Sequence, residues 1–135
     1  MEYILSIIEE SNRQILMLEA QVGGFTGQSF NVQIDIVRKS ARYTSYDYGF
    51  RNEAIKDICL TEGGLKEFIY MLYKLRVENW KKHYSTKEII MDGTNWLVKL
   101  VTDKCEYESE GNNAYPTVWH KFCKCIEGLI KEEFR

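Results

Sequence analysis

Asp92-Gly93-Thr94-Asn95-Trp96 opens the stretch that decides the fold; an alternating run to Glu110 follows, then Gly111-Asn112-Asn113-Ala114-Tyr115-Pro116. Asp-Gly is turn chemistry, because glycine reaches positive φ without steric penalty and an aspartate side chain bonds its own backbone. From Trp96 the alternation sets Trp96, Val98 and Leu100 on one face of a strand and Leu97, Lys99 and Val101 on the other. Thr102-Asp103-Lys104 is short and polar enough for a hairpin connection. Cys105 to Ser109 returns as a second, more polar strand suited to a place near a sheet edge. Gly111-Asn112-Asn113 breaks that strand, and Pro116 fits the first turn of a helix, where its missing N–H costs nothing. Trp119, Phe122, Cys123, Ile126, Leu129 and Ile130 then fall at helical offsets on one apolar stripe, with Lys121, Lys124, Glu127 and Lys131 between them.

Those two clusters, Asp92-Gly93-Thr94-Asn95-Trp96 and Gly111-Asn112-Asn113-Ala114-Tyr115-Pro116 with Trp119 beyond, resemble a pattern in a family of small uncharacterised bacterial proteins. The family pattern is Asp-Gly-Thr-x-Trp, a hairpin, then Gly-x-Asn-Ala-Tyr-Pro. The similarity covers roughly the last third of the chain, with Gly23-Gly24-Phe25 and Trp80 as further points. The resemblance implies a shared fold unit and carries no activity with it.

The remaining elements follow from period. Ile15 to Val22 reads as a strand, and Gly23-Gly24-Phe25-Thr26-Gly27 as a wide hairpin loop. A phosphate loop would need a helix and a Lys-Ser or Lys-Thr after the glycines, whereas Gln28-Ser29-Phe30 leads into another strand. Val32, Ile34 and Ile36 alternate with Gln33, Asp35 and Val37, the clearest amphipathic strand of the chain. Lys39-Ser40 marks the next turn. Tyr43, Tyr46 and Tyr48 follow on a strand with residues of both parities, so at least one tyrosine looks outward. Ala54 to Leu60 suits a further strand. Thr61 is a candidate cap for a helix whose stripe is Leu65, Phe68, Ile69, Leu72 and Leu75, extended to Trp80 and Tyr84. Met1 to Ser11 leans to a short helix on Ile4, Ile7 and Ile8. The expected architecture is α+β, a single domain over residues 1–135, with a mostly antiparallel sheet of about five strands and two main amphipathic helices packed on one face.

Composition narrows the function classes. Hydrophobic residues make up 44% and charged residues 28%, a globular balance rather than a disordered one. Net charge is −2, which gives no global attraction for a phosphate backbone. The one basic run, Lys74, Arg76, Lys81, Lys82 and His83, spreads around a helix and is interrupted by Glu78, so nucleic acid is not expected as a partner. No window reaches the roughly 18–20 apolar residues of a membrane helix. The start Met1-Glu2-Tyr3 lacks the basic region and cleavage site of a signal peptide, which makes the cytoplasm the expected compartment. Free thiols are then expected at Cys59, Cys105, Cys123 and Cys125. Cys123 and Cys125 point about 200° apart on a helix and cannot clasp one ion. Cys59 reads as a small hydrophobe. No metal or cofactor is expected.

No nucleophile–base arrangement stands out around His83 or His120. Asp92 with Glu110 is the one carboxylate pair worth naming, and Asp92 also has the plainer role of forming the turn. Asn113 and Tyr115 suit a rigid strand-to-helix corner; they also suit the lining of a shallow site with Trp96. The expected binding residues are therefore Tyr46, Asp92, Thr94, Trp96, Asn113 and Tyr115. With aromatics at 13%, mild acidity and no catalytic signature, the expected function is a non-catalytic protein-binding module. An immunity-type or other inhibitor of a toxin or effector protein is the form that fits. The alternative is a small-molecule or nucleotide-binding domain rimmed by Gly23–Gly27 and the Asp92–Trp96 turn.

Overall fold

The computed structural model describes residues 14–24, 27–47, 52–85 and 93–135. Its elements run β1 (Ile15–Gly23), β2 (Gln28–Asp35), β3 (Ser40–Asp47), β4 (Asn52–Cys59), α1 (Glu62–Lys74), β5 (His83–Ser85), β6 (Asn95–Thr102), β7 (Glu106–Asn112) and α2 (Trp119–Ile130). The strands form one sheet in the order β4-β3-β2-β1-β6-β7-β5. Every pairing is antiparallel except β5 with β7. The α+β class stands as expected, with seven strands among the described residues rather than about five.

The strand least visible in sequence is β5, because three residues display no alternation. It lies where the helical stripe was extended to Trp80 and Tyr84. Instead α1 ends at Lys74, Arg76 takes a left-handed conformation (φ 55°), and Val77–Asn79 forms one 3₁₀ turn. At the helix start the Thr61 hydroxyl accepts the Gly64 N–H at 3.0 Å, the capping role expected of it. The start of α2 differs from expectation. Pro116 sits in the turn before the helix, its carbonyl accepting the Trp119 N–H at 3.0 Å.

Register fixes which side chains share a face, because directly opposed residues point the same way. Leu18 lies opposite Ile34 and Leu100, Ala20 opposite Val32 and Val98, and Val22 opposite Phe30 and Trp96. All of these are buried. Against them the helices set Leu65, Phe68 and Leu72 of α1 and Phe122, Ile126 and Ile130 of α2, joined by Phe134. Burying each such side chain contributes on the order of 1.5–3 kcal/mol. The helices therefore cover one face of the sheet, and the neighbouring residues of each strand form an open face.

Cys59 corrects the reading of it as a small hydrophobe: it is exposed on β4, an edge strand with few buried positions, whereas Cys123 is buried on the stripe. Asp92, Phe25, Tyr48 and the helix expected at Met1 to Ser11 lie outside the described residues.

Candidate functional site

Two places carry the residues singled out by sequence, and they lie on opposite faces of the sheet. The first is the corner between the β6–β7 hairpin and α2. The Asn113 side-chain oxygen accepts the Thr94 N–H at 2.9 Å, and the Asn113 N–H donates to the Thr94 carbonyl at 2.9 Å. Asn113 holds φ at 53°, a left-handed conformation that asparagine tolerates better than most residues. Gly93 is required by this contact, since a Cβ there would lie 1.9 Å from Asn113 Nδ2. Gly111 is required by the neighbouring one, since its Cβ would lie 2.3 Å from Trp96 Nε1. The Trp96 indole N–H donates to the Ala114 carbonyl at 2.8 Å, and Tyr115 stacks on the ring with centroids 6.4 Å apart. Trp119 closes the group at 4.7 Å from Trp96, and Trp80 meets Trp96 edge-on at 6.1 Å.

The structure thus brings together Thr94, Trp96, Asn113 and Tyr115 and places Tyr46 elsewhere, on the open face. Asp92 lies outside the described residues, so the Asp92–Glu110 pair does too. Trp96 is only 3% exposed, and its one polar atom is already bonded. Thr94 and Asn113 satisfy one another. At 38% exposure Tyr115 is the member of this corner with most surface to offer. The corner has the geometry of a structural joint, since its polar groups face inward.

The second place is the open face. Across it the register aligns Ile55, Thr44, Asn31, Gln21, Leu97 and Glu110 in one row, and Glu53, Tyr46, Ser29, Gly23, Asn95 and Asn112 in the next. Between these rows lies a hollow of about 550 Å³, lined by Gln21, Asn31, Tyr46, Asn95, Leu97 and Glu110 among others. Its lining offers amides, hydroxyls, the aromatic residues Phe30, Tyr46 and Trp96 and one carboxylate, and no lysine or arginine. The sequence singles out Tyr46 as a binding residue and Glu110 in the carboxylate pair, and Gly23, Gly24, Asn95 and Trp96 belong to the rim expected of a small-molecule site; Gln21, Asn31 and Leu97 do not stand out in sequence. Each belongs to the polar half of an alternating strand, and only the register makes them neighbours.

A second hollow, about 700 Å³, opens between α1, α2 and the end of β4, lined by Phe68, Met71, Leu129, Lys121 and Lys124 among others. Cys125 lines it. Burial, with Glu67 adding to the effect, pushes that thiol up to about 12, and burial does the same to Cys123. Neither is an activated nucleophile, since reactivity follows the thiolate. Among the described residues no group of three or more His, Cys, Asp or Glu side chains is placed to hold a metal ion, and no helix is long and apolar enough to cross a membrane.

The chain matches no protein-family model and no curated protein sequence.

Proposed function

We propose that the protein is a non-catalytic protein-binding module of the immunity or inhibitor type, acting in the cytoplasm on another protein such as a toxin or effector. The open face of the sheet is the surface it uses. One observation carries this reading: both described α-helices lie on one face of the seven-stranded sheet, so among the described residues no α-helix covers the other face, which has a hollow in it. That face is not uniformly polar. Met17, Leu97 and Val101 are half-buried upon it, and Ile55 at the edge is 59% exposed. Together with Tyr46 they supply apolar anchor points inside a polar surround, the arrangement of a binding patch. The resemblance to the small bacterial family is proposed to reflect the shared corner at Asn113 and Trp96, since every one of its patterned residues from Gly93 to Trp119 that makes a contact makes it there.

The test is to purify the tagged protein from its host and weigh the intact complex by native mass spectrometry, then map the partner by hydrogen exchange. Protection of β1, β2, β3 and β6 over an interface near the standard ~1,600 Å² is the expected result. A partner that protects only α1 and α2 refutes the choice of face.

A second reading has its own support. The open-face hollow falls within the roughly 300–1,000 Å³ span of small-molecule sites. Its lining carries an anion and no cation, which favours a neutral or cationic ligand over a nucleotide phosphate. A retained small mass with no protein, and a melting temperature raised by that compound, would establish this reading over the first.

A further inference from the structure

The charges of this molecule are segregated by face. By register the open face carries Glu19, Asp35, Glu53, Asp57 and the run Glu106, Glu108, Glu110, seven carboxylates, against Arg42 and Lys99. Arg38 also reaches Asp35 from the β2–β3 turn, so seven carboxylates stand against three cations, an excess of four negative charges among the described residues of this face. The cations are already engaged, Arg42 with Asp57 at 2.9 Å, Lys99 with Glu106 at 3.5 Å and Arg38 with Asp35 at 3.8 Å, and the His83 ring lies 3.3 Å from Glu110. Lys99 lies directly opposite Glu19 yet turns to Glu106. Among the described residues Glu19, Glu53 and Glu108 make no ion pair.

We propose that the partner of the open face presents a basic surface, rich in lysine or arginine. The proposal rests on the reading of that face as the partner-binding one and deepens it. Successive rows lie roughly 6.8 Å apart along a strand and adjacent strands roughly 4.8 Å apart. Both spacings fall inside the ~8 Å Debye length of physiological salt. Glu108 and Glu110 stand one row apart on β7, so their fields add within that length, while Glu19 lies two strands away across Lys99; together they steer a cationic surface toward the apolar points Leu97 and Met17. A phosphate backbone or an anionic membrane is repelled by the same field.

The probe is a peptide of about ten lysines, titrated into the ¹⁵N-labelled protein at about 50 mM salt, with a glutamate peptide as control, because steering of this kind is strongest at low ionic strength. The expected result is shifted amides at Glu19, Leu97, Lys99, Glu108 and Glu110, with none along α1 or α2. Binding weakens roughly tenfold or more in a triple variant, Glu19→Gln with Glu108→Gln and Glu110→Gln, and likewise at about 500 mM salt. The three side chains sit on the open face, so an unchanged thermal melt verifies that the variant is folded. Shifts centred on Glu62 or Glu67 of α1, no shifts at all, or a triple variant that binds like the wild type would each overturn the proposal. The natural partner separates this claim from the one beneath it. A partner that protects the open strands while its association rate ignores salt keeps the face and overturns its charge. A partner seated between α1 and α2, or a second copy of the chain on the open face, overturns both.

Discussion

Replacing Asn113 by alanine separates a structural corner from a binding site, because the two roles respond differently. The side chain provides the acceptor for the Thr94 N–H at 2.9 Å and holds a left-handed backbone at φ 53°. Removing the acceptor costs about 1 kcal/mol, and more if the half-buried Thr94 N–H finds no water, up to about 3 kcal/mol. Holding alanine in the left-handed region costs about 1–2 kcal/mol. Together they predict a loss of about 2–5 kcal/mol, which at roughly 3 °C per kcal/mol lowers the melting temperature by about 6–15 °C. Asn113→Gly lifts the backbone cost and keeps the lost hydrogen bond, so it should recover about half of the loss. The assay is urea unfolding followed by circular dichroism, with the midpoint moving and the slope unchanged. An Asn113→Ala protein within about 0.5 kcal/mol of wild type refutes the reasoning, since surface changes away from such features stay in that range. If that protein also lost its partner, Asn113 would belong to the binding surface.

Trp96→Phe keeps the ring stack with Tyr115 and Trp119 but strands the Ala114 carbonyl; the loss should be about 1–2 kcal/mol in the same unfolding assay, with partner binding unchanged. Tyr43, buried with its hydroxyl donating to the Glu133 carbonyl at 2.6 Å, is pushed up to about 12 by burial, with the acidic groups of Glu132, Glu133 and Glu127 adding to it. Its folded value lies above the unfolded one, so the stability it contributes is intact below pH about 10 and is lost as pH rises from about 10 toward 12. Tyr43→Phe should flatten that stretch of the stability curve, and an unchanged curve would count against it. A disulfide reagent at mildly alkaline pH should label the exposed Cys59 and Cys105 at once and reach Cys123 and Cys125 only on unfolding; four equally fast thiols would contradict the buried positions.

The parts of the fold visible in sequence are those where period and local chemistry coincide. The apolar stripe Trp119 to Ile130 reads as a helix because five or more side chains repeat at one offset and bury together. Val32 and Ile34 read as a strand face for the same reason at period two. Thr61 reads as a cap because its hydroxyl acts within three residues of chain. Where tertiary pairing decides, the local signal is absent. The three residues of β5 have no pattern of their own and exist as a strand because β7 lies beside them. Arg76 ends α1 against a stripe that runs on to Trp80, and the left-handed turn there has no glycine to announce it. Cys59 ends an apolar-looking run and meets solvent because its register on β4, the last strand of the sheet, sets it opposite Ser40 on the open face.

The candidate site divides along the same line. Glycine, asparagine, tryptophan and proline draw attention because they answer to sharp backbone requirements, and Gly93, Gly111, Asn113 and Trp96 spend that chemistry on one another at the corner. A partner-binding face needs no such residues. It needs a surface, and Gln21, Asn31, Asn95 and Glu110 are ordinary polar positions that become one surface when the strand registers bring them into line, one of them the long-range β1–β6 pairing. The net charge conceals the face in the same way, because it sums over the whole chain the acidic positions that the described registers gather on one side. A slip of one residue in the β1–β6 register would turn Leu97 and Lys99 inward and Val98 outward. The electrostatic face therefore depends on the same pairing that builds the core, and a variant that weakens the core at Val98 should blur the charge segregation along with the fold.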